Sequence, residues 1–226
     1  MSRVVLYTLG LWVGGVAPCM AADTGTTQIS GYISAEGRYF FHYPSFTGQE
    51  RNNTSVAAQP EYYHKWTNGS SLTFVPFGRV DSVDPERTHV DIRELNYLYI
   101  HPEFELRAGI GKVFWGATEF VHLVDIINQT DWVEHIDGED KLGQPMVEFA
   151  KAGAWGKIDV FILPYFRERT FPGPKGRLRP GLPIDVDHPI FRSPDKNNQF
   201  DFVARYSRTV GPCDFGFYLF KGTDRD

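Results

Sequence analysis

Cysteine is almost missing from this chain: 226 residues contain two, Cys19 and Cys213. Loss of the first with an N-terminal leader would exclude the intramolecular disulfides on which many small exported domains rely. Beyond residue 22 there is no continuous apolar stretch of the ~20 residues that a transmembrane helix needs. Excess basic charge is lacking too, with 23 Lys and Arg against 28 Asp and Glu and a net charge of −5. Nucleic acid is therefore not an expected partner. Also absent are a Gly-x-Ser-x-Gly elbow and a phosphate-binding glycine loop. His122 with Asp125, and His135 with Asp137, have no third or fourth ligand at a recognised metal spacing. No catalytic residue, metal or cofactor is expected on these grounds.

What is present begins at the N-terminus. Arg3 precedes Val4 to Val16, an uncharged, largely apolar run of 13 residues, and Cys19-Met20-Ala21-Ala22 supplies small residues before Asp23. This is the layout of a secretory signal peptide over residues 1–22, too short to span a bilayer as a helix. The mature chain would start at residue 23, one unit more negative than the whole.

Aromatic residues are plentiful at 15 %. They suit either a soluble β-sandwich with an aromatic core or a membrane barrel with interfacial girdles. Period-2 alternation marks strands. Phe104, Leu106, Ala108 and Ile110 oppose Glu105, Arg107, Gly109 and Gly111. Phe200, Phe202, Ala204 and Tyr206 oppose Asp201, Val203, Arg205 and Ser207. From Ile29, a face of Ile29, Gly31, Ile33, Ala35, Gly37, Tyr39 and Phe41 opposes Ser30, Tyr32, Ser34, Glu36, Arg38 and Phe40. Noisier strands are expected at about 60–66, 70–81, 89–100, 146–153, 156–166 and 213–222. Asp159 to Tyr165 is apolar on both faces, against a strict lipid-out, polar-in scheme.

The connections sort by length. Short turns at Thr67-Asn68-Gly69, His101-Pro102-Glu103, Ala154-Trp155-Gly156 and 209–212 alternate with long links at about 42–59, 82–88, 116–145 and 167–199. Transmembrane barrels have short turns on the periplasmic side and long loops outside. A sandwich has no reason to sort its loops by parity. The link 167–199 is rich in proline and carries Arg167, Arg169, Lys175, Arg177 and Arg179, the composition of an irregular surface loop. The link 116–145 joins an apolar part, Phe120 to Ile127, to an acidic part with Asp131, Glu134, Asp137, Glu139 and Asp140. Either the apolar part forms a short helix packed inside the barrel and the acidic part narrows the pore, or the whole is a folded extracellular loop with a solvated acidic end.

Residues 87–171 also carry a family resemblance. Asp91-Ile92-Arg93-Glu94-Leu95, then Leu106-Arg107-Ala108-Gly109-Ile110-Gly111-Lys112-Val113-Phe114-Trp115-Gly116, then Val124-Asp125-Ile126-Ile127-Asn128 resemble uncharacterised porin-like outer-membrane proteins of proteobacteria. The resemblance implies a barrel longer than this chain and no catalytic residues.

The expected fold is thus all-β: an antiparallel transmembrane β-barrel, seen as a partial barrel of about nine strands with long extracellular loops. Residues 23–226 would be its N-terminal part, because nine strands would leave the first and last parallel at any seam, and lipid does not tolerate open edges. The expected location is the bacterial outer membrane, with lipid as a partner and a porin-like channel or transporter for small solutes as the function. Glu36, Arg38, Glu105, Arg107, Asp201 and Arg205 are the candidate pore-lining residues. The alternatives are an outer-membrane hydrolase, a surface-binding protein using the Arg-rich 167–179 loop, and a soluble periplasmic β-sandwich.

Overall fold

The computed structural model describes residues 5–9, 25–114 and 126–223, with backbone alone for 5–9. The strands are β1 Val5–Leu9, β2 Thr26–Tyr39, β3 Asn52–Lys65, β4 Ser71–Asp81, β5 His89–His101, β6 Phe104–Gly111, β7 Gln144–Gly153, β8 Gly156–Leu163, β9 Asp201–Val210 and β10 Cys213–Lys221. They form one antiparallel sheet in sequence order, and the first and last strands do not pair, so the sheet is open. Among the described residues helix is limited to two single turns, Pro85–Arg87 and Lys196–Asn198. The nine strands β2 to β10 are those expected from the alternation. The tenth, β1, lies in the stretch read as a leader and pairs with Ala35–Tyr39 of β2.

The short turns follow their sequence chemistry. Gly69 adopts φ 86°, which glycine reaches without a Cβ clash, and the Asn68 side chain accepts from Ser70 N at 3.0 Å. Gly109 is required differently: at φ 136° its backbone lies against β5, where an added Cβ would meet Leu95 O at 1.8 Å. The remaining connections, 40–51, 82–88, 112–143 and 164–200, are long and share the opposite end of the sheet.

One expected boundary was wrong. The strand placed at about 60–66 begins at Asn52. Asn, Thr and Ser are weak strand formers, and Pro60 removes a ladder donor. The register of β3 on β4 sets Pro60 opposite Pro76, with the ladder interrupted between Ala58↔Gly78 and Tyr62↔Phe74. The two residues without an N–H therefore share a single break.

A second irregularity lies between β4 and β5, where Val75 pairs Glu94 and Pro76 pairs Ile92. Arg93 is the extra residue of this bulge. Ile92 and Leu95 remain on the exposed face, so Arg93 and Glu94 both turn to the other one.

The two faces differ in chemistry. The outer face carries Ile29, Ile33, Val56, Val80, Val90, Ile92, Leu106, Val147, Phe149, Ile158, Val160, Ile162, Phe202, Phe217 and Leu219, all substantially exposed. Its only charged side chains in the described strands, Lys151, Arg208 and Lys221, lie at or near strand ends. At the turn end the outer face is aromatic. Rings pair as His64–Trp66, Trp66–Tyr97, Tyr99–Phe104, Phe104–Phe149, Trp155–Tyr206 and Tyr206–Phe217, with centroids 4.6 to 6.3 Å apart.

The inner face is covered at its loop end by the links 126–143 and 164–178. The apolar core lies there, formed by Val113, Ile127, Met146, Phe161, Leu163 and Val203, with Tyr218 and Phe220 packed against it. This accounts for the two-sided apolar character of β8: Ile158, Val160 and Ile162 face outward, while Phe161 and Leu163 hold down the loop.

Candidate functional site

The loop-end half of the inner face, over β2 to β5, is an ionic cluster closed by the loops. It grows from the alternation of β4, which turns Val75, Phe77, Arg79 and Asp81 inward and leaves Phe74, Gly78 and Val80 outside. Arg79 donates from Nε to both carboxylate oxygens of Glu134 at 3.0 Å and from Nη2 at 2.7 Å. Its Nη1 donates to Ser55 Oγ at 2.8 Å and lies 3.5 Å from Glu36 Oε2. Arg87, in the β4–β5 link, donates to Asp81 at 2.8 Å, to Glu36 at 3.0 Å and to Ser55 at 3.1 Å. Arg38 completes this group through an ion pair with Glu36.

The bulged Arg93 reaches Asp131 of the 126–143 link and lies 3.2 Å from Asp91. Asp91 also pairs with Arg167, whose Nη1 donates to Gly143 O at 2.8 Å. Five arginines, at 38, 79, 87, 93 and 167, thus face five carboxylates, at 36, 81, 91, 131 and 134. The cluster is electrically balanced. Buried ion pairs add little net stability, but removing one partner is costly because a bare charge is left behind.

Neutral latches fix the loops over this cluster. Asn128, 4 % exposed, accepts from Val113 N and donates to Gly111 O and Leu142 O, each at 2.8 Å. It ties the two ends of the 112–143 link together. Asp84, 2 % exposed, accepts from Gly173 N at 3.0 Å and caps the turn at Pro85–Arg87. Gln49 donates to Gly176 O at 2.7 Å, joining the 40–51 and 164–200 links. A cavity of ≈ 20 Å³ remains between Arg38, Asn53, Arg87, Trp132, Glu134 and Arg177, room for about one water.

Burial alone would raise the Asp131 carboxyl, but Arg93 beside it and the Thr170 hydroxyl hold it below the usual range. Asp84 has no such cation in contact, and burial pushes it up. Burial, reinforced by repulsion from Arg93, pushes the Lys112 ammonium down.

All six candidate residues lie on the inner face, but in three separate places. Glu36 and Arg38 join the ionic cluster. Glu105 and Arg107 lie nearer the turn end of β6, where Arg107 Nε is 3.3 Å from Glu148. Asp201, fully buried, accepts from Thr223 N at 3.1 Å, while Arg205 lies over the Tyr218 ring at 5.5 Å. The sequence reading missed Arg79, Arg87, Asp81, Asp91 and Arg93 as site residues. The parity of β4 was the available signal for the first and third.

The acidic part of the 116–145 link divides. Asp131 and Glu134 are neutralised within the cluster, while Asp137, Glu139 and Asp140 lie further out. The run Phe120 to Val124, and the pair His122 and Asp125, lie outside the described residues. Among the described residues no group of three or more His, Cys, Asp or Glu is placed to hold a metal ion. The arginines of the 167–179 stretch largely serve the loops themselves: Arg177 bonds His42 O at 2.8 Å, and Arg179 bonds Pro174 O, Pro180 O and Gly181 O.

Comparison with protein families, curated proteins and solved structures found no match.

Proposed function

We propose that this chain builds the wall of a transmembrane β-barrel in the bacterial outer membrane and works as a porin-like channel or transporter for small solutes. The observation that carries the reading is the opposition of the two faces. The outer one is apolar, with an aromatic belt at the turn end; the inner one is ionic and covered by long loops that all come from the other end. A soluble protein exposing so wide an apolar surface would need a second layer to cover it. In a bilayer, lipid is that layer, and the ring belt belongs at the water interface.

Within this reading the edge of β10, and the part of the β2 edge outside its pairing with β1, are paired by further strands, since unpaired edge groups in lipid cost several kcal/mol each. The loops over the ionic cluster narrow the passage. Because the cluster is balanced in charge, it imposes little preference for anions or cations, and the passage runs over the less covered polar inner surface around Arg107, Lys157 and Arg205.

The test is fractionation followed by electrophysiology of the full-length protein. Recovery in the detergent-extracted outer membrane, with discrete conductance steps in planar bilayers, is expected. Release into the periplasmic extract without detergent would remove every membrane reading. Membrane recovery without conductance or solute-driven liposome swelling would remove the channel alone.

A further inference from the structure

The cations at the loop end are not all balanced. Arg51, the last residue before β3, donates from Nε to Phe40 O at 3.3 Å and from Nη2 to Tyr39 Oη at 2.6 Å and Phe41 O at 3.3 Å. Its guanidinium stands 5.2 Å from the Tyr39 ring centroid and 4.8 Å from that of Tyr43. All of these partners are neutral, and among the described residues no carboxylate pairs with Arg51, unlike the five arginines of the inner cluster. The bonds and rings fix its position without cancelling its charge, which prepares a cation to receive an anion.

Its location narrows the choice of anion. Tyr39 ends the outer face of β2, and Tyr39, Phe41 and Tyr43 are all exposed there, Tyr43 at 78 %. Immediately along the same face lies an open groove lined by Ala35, Glu36, Gly37, Thr54, Ser55, Val56, Val80 and Ser82; the side chains of Glu36 and Ser55 turn to the inner face, where both bond Arg87. The register pairs Gly37 with Thr54 and Tyr39 with Asn52, so the groove runs up to the Arg51 platform. A cation ringed by aromatics at the head of an apolar groove matches one kind of ligand: an amphiphile with a phosphate headgroup and an acyl chain.

We propose that Arg51, Tyr39 and Tyr43 form a docking site for the phosphate headgroup of a membrane lipid, with the acyl chain along the Ala35–Val80 groove. The site rests on the membrane reading above. The phosphate meets the guanidinium and the rings cover its sides. The small side chains at 35 and 37 leave room for a methylene chain, and an added Cβ at Gly37 would meet nothing within 4 Å.

The full chain, refolded in a neutral detergent, is tested by native mass spectrometry with dilauroyl phosphatidic acid, dilauroyl phosphatidylcholine or inorganic phosphate. Retention of one phosphatidic acid is expected, undisplaced by inorganic phosphate in large molar excess. Arg51→Gln should weaken it about tenfold or more, the loss of one charge-assisted contact. Tyr43→Ala, at an exposed position that folding does not need, should weaken it less, and Lys151→Ala, at the other end of the outer face, not at all. Circular dichroism of each variant reports whether the sheet is intact. Equal retention by Arg51→Gln with intact sheet, equal retention of phosphatidylcholine, or displacement by inorganic phosphate would each overturn the lipid site while leaving the membrane reading standing. A chain that stays in solution without detergent and ignores liposomes would remove both.

Discussion

Replacing Asn128 with alanine tests whether one side chain holds the long loop over the inner face. Asn128 makes three bonds of 2.8 Å in a buried setting, accepting one and donating two. Alanine would strand Val113 N, Gly111 O and Leu142 O. Each unsatisfied buried group costs about 1–3 kcal/mol, but partial relaxation and water entry reduce the sum, so loop docking should weaken by about 2–3 kcal/mol. If opening is fast relative to cleavage, trypsin should then cut after Lys141 about 30- to 150-fold faster. Lys141 is held by Thr130 Oγ1 at 2.9 Å in the closed loop, so cleavage there reports opening. Asn128→Asp is the sharper comparison. A carboxylate keeps the acceptor for Val113 N but sets negative charge against Gly111 O and Leu142 O, so the isosteric change should harm docking at least as much as alanine. Wild-type cleavage rates in Asn128→Asp, or less than a threefold change in Asn128→Ala, would show that the loop is held elsewhere.

Three further outcomes follow from the same geometry. Because Asp131 is held below the usual carboxyl range, the stability it contributes is present above its unfolded value of about 4 and is lost as pH falls through the lower folded value; cleavage at the loop by an acid-tolerant protease should be flat from pH 7 to 5 and rise below about 4, and Asp131→Asn should remove that dependence. Arg79→Gln and Glu134→Gln should each destabilise by about 2–4 kcal/mol, while the double variant costs less than their sum; a strictly additive result in denaturant titrations would dissolve the pair. Leu106→Arg places a charge on the outer face and should cost about 2–4 kcal/mol of insertion, whereas Arg107→Ala on the inner face should assemble normally; equal damage in a bilayer-folding assay would reverse the assignment of faces.

Strands could be read from the sequence where one residue type owned each face. Phe104 to Gly111 was legible residue by residue because its apolar and polar positions never exchange. Asn52 to Gln59 was not, since its inner and outer residues are both small and its stability comes from two neighbouring strands rather than from its own composition. Arg93 beside Glu94 broke the alternation, and only the pairing of β4 with β5 reveals the bulge that turns both inward. Parity grouped the candidate residues of the strands on one face of the sheet. The closure over Arg79 and Arg93 was out of reach, because Glu134 and Asp131 come from a link whose path no periodicity encodes. The apolar pair Phe161 and Leu163 looked like an error in the pattern and proved to be the seat of that link.

The sheet and its loop covering belong to different stages of assembly. Each strand from β2 to β10 pairs with its neighbours in sequence, so the sheet can grow hairpin by hairpin at low contact order. The closures over the inner face span far greater chain distances: 55 residues between Arg79 and Glu134, 76 between Asp91 and Arg167, 89 between Asp84 and Gly173, and 127 between Gln49 and Gly176. The last three of these cannot form until β8 is in place and the link beyond it has folded back. During synthesis Arg87 meets Glu36 and Asp81 as soon as β2 to β4 have paired, whereas Arg79 lacks Glu134 and Arg93 lacks Asp131 until the 112–143 link folds over them. Water or a transient anion must solvate them until the covering arrives, and the late closure converts a permissive, hydrated trough into a sealed one.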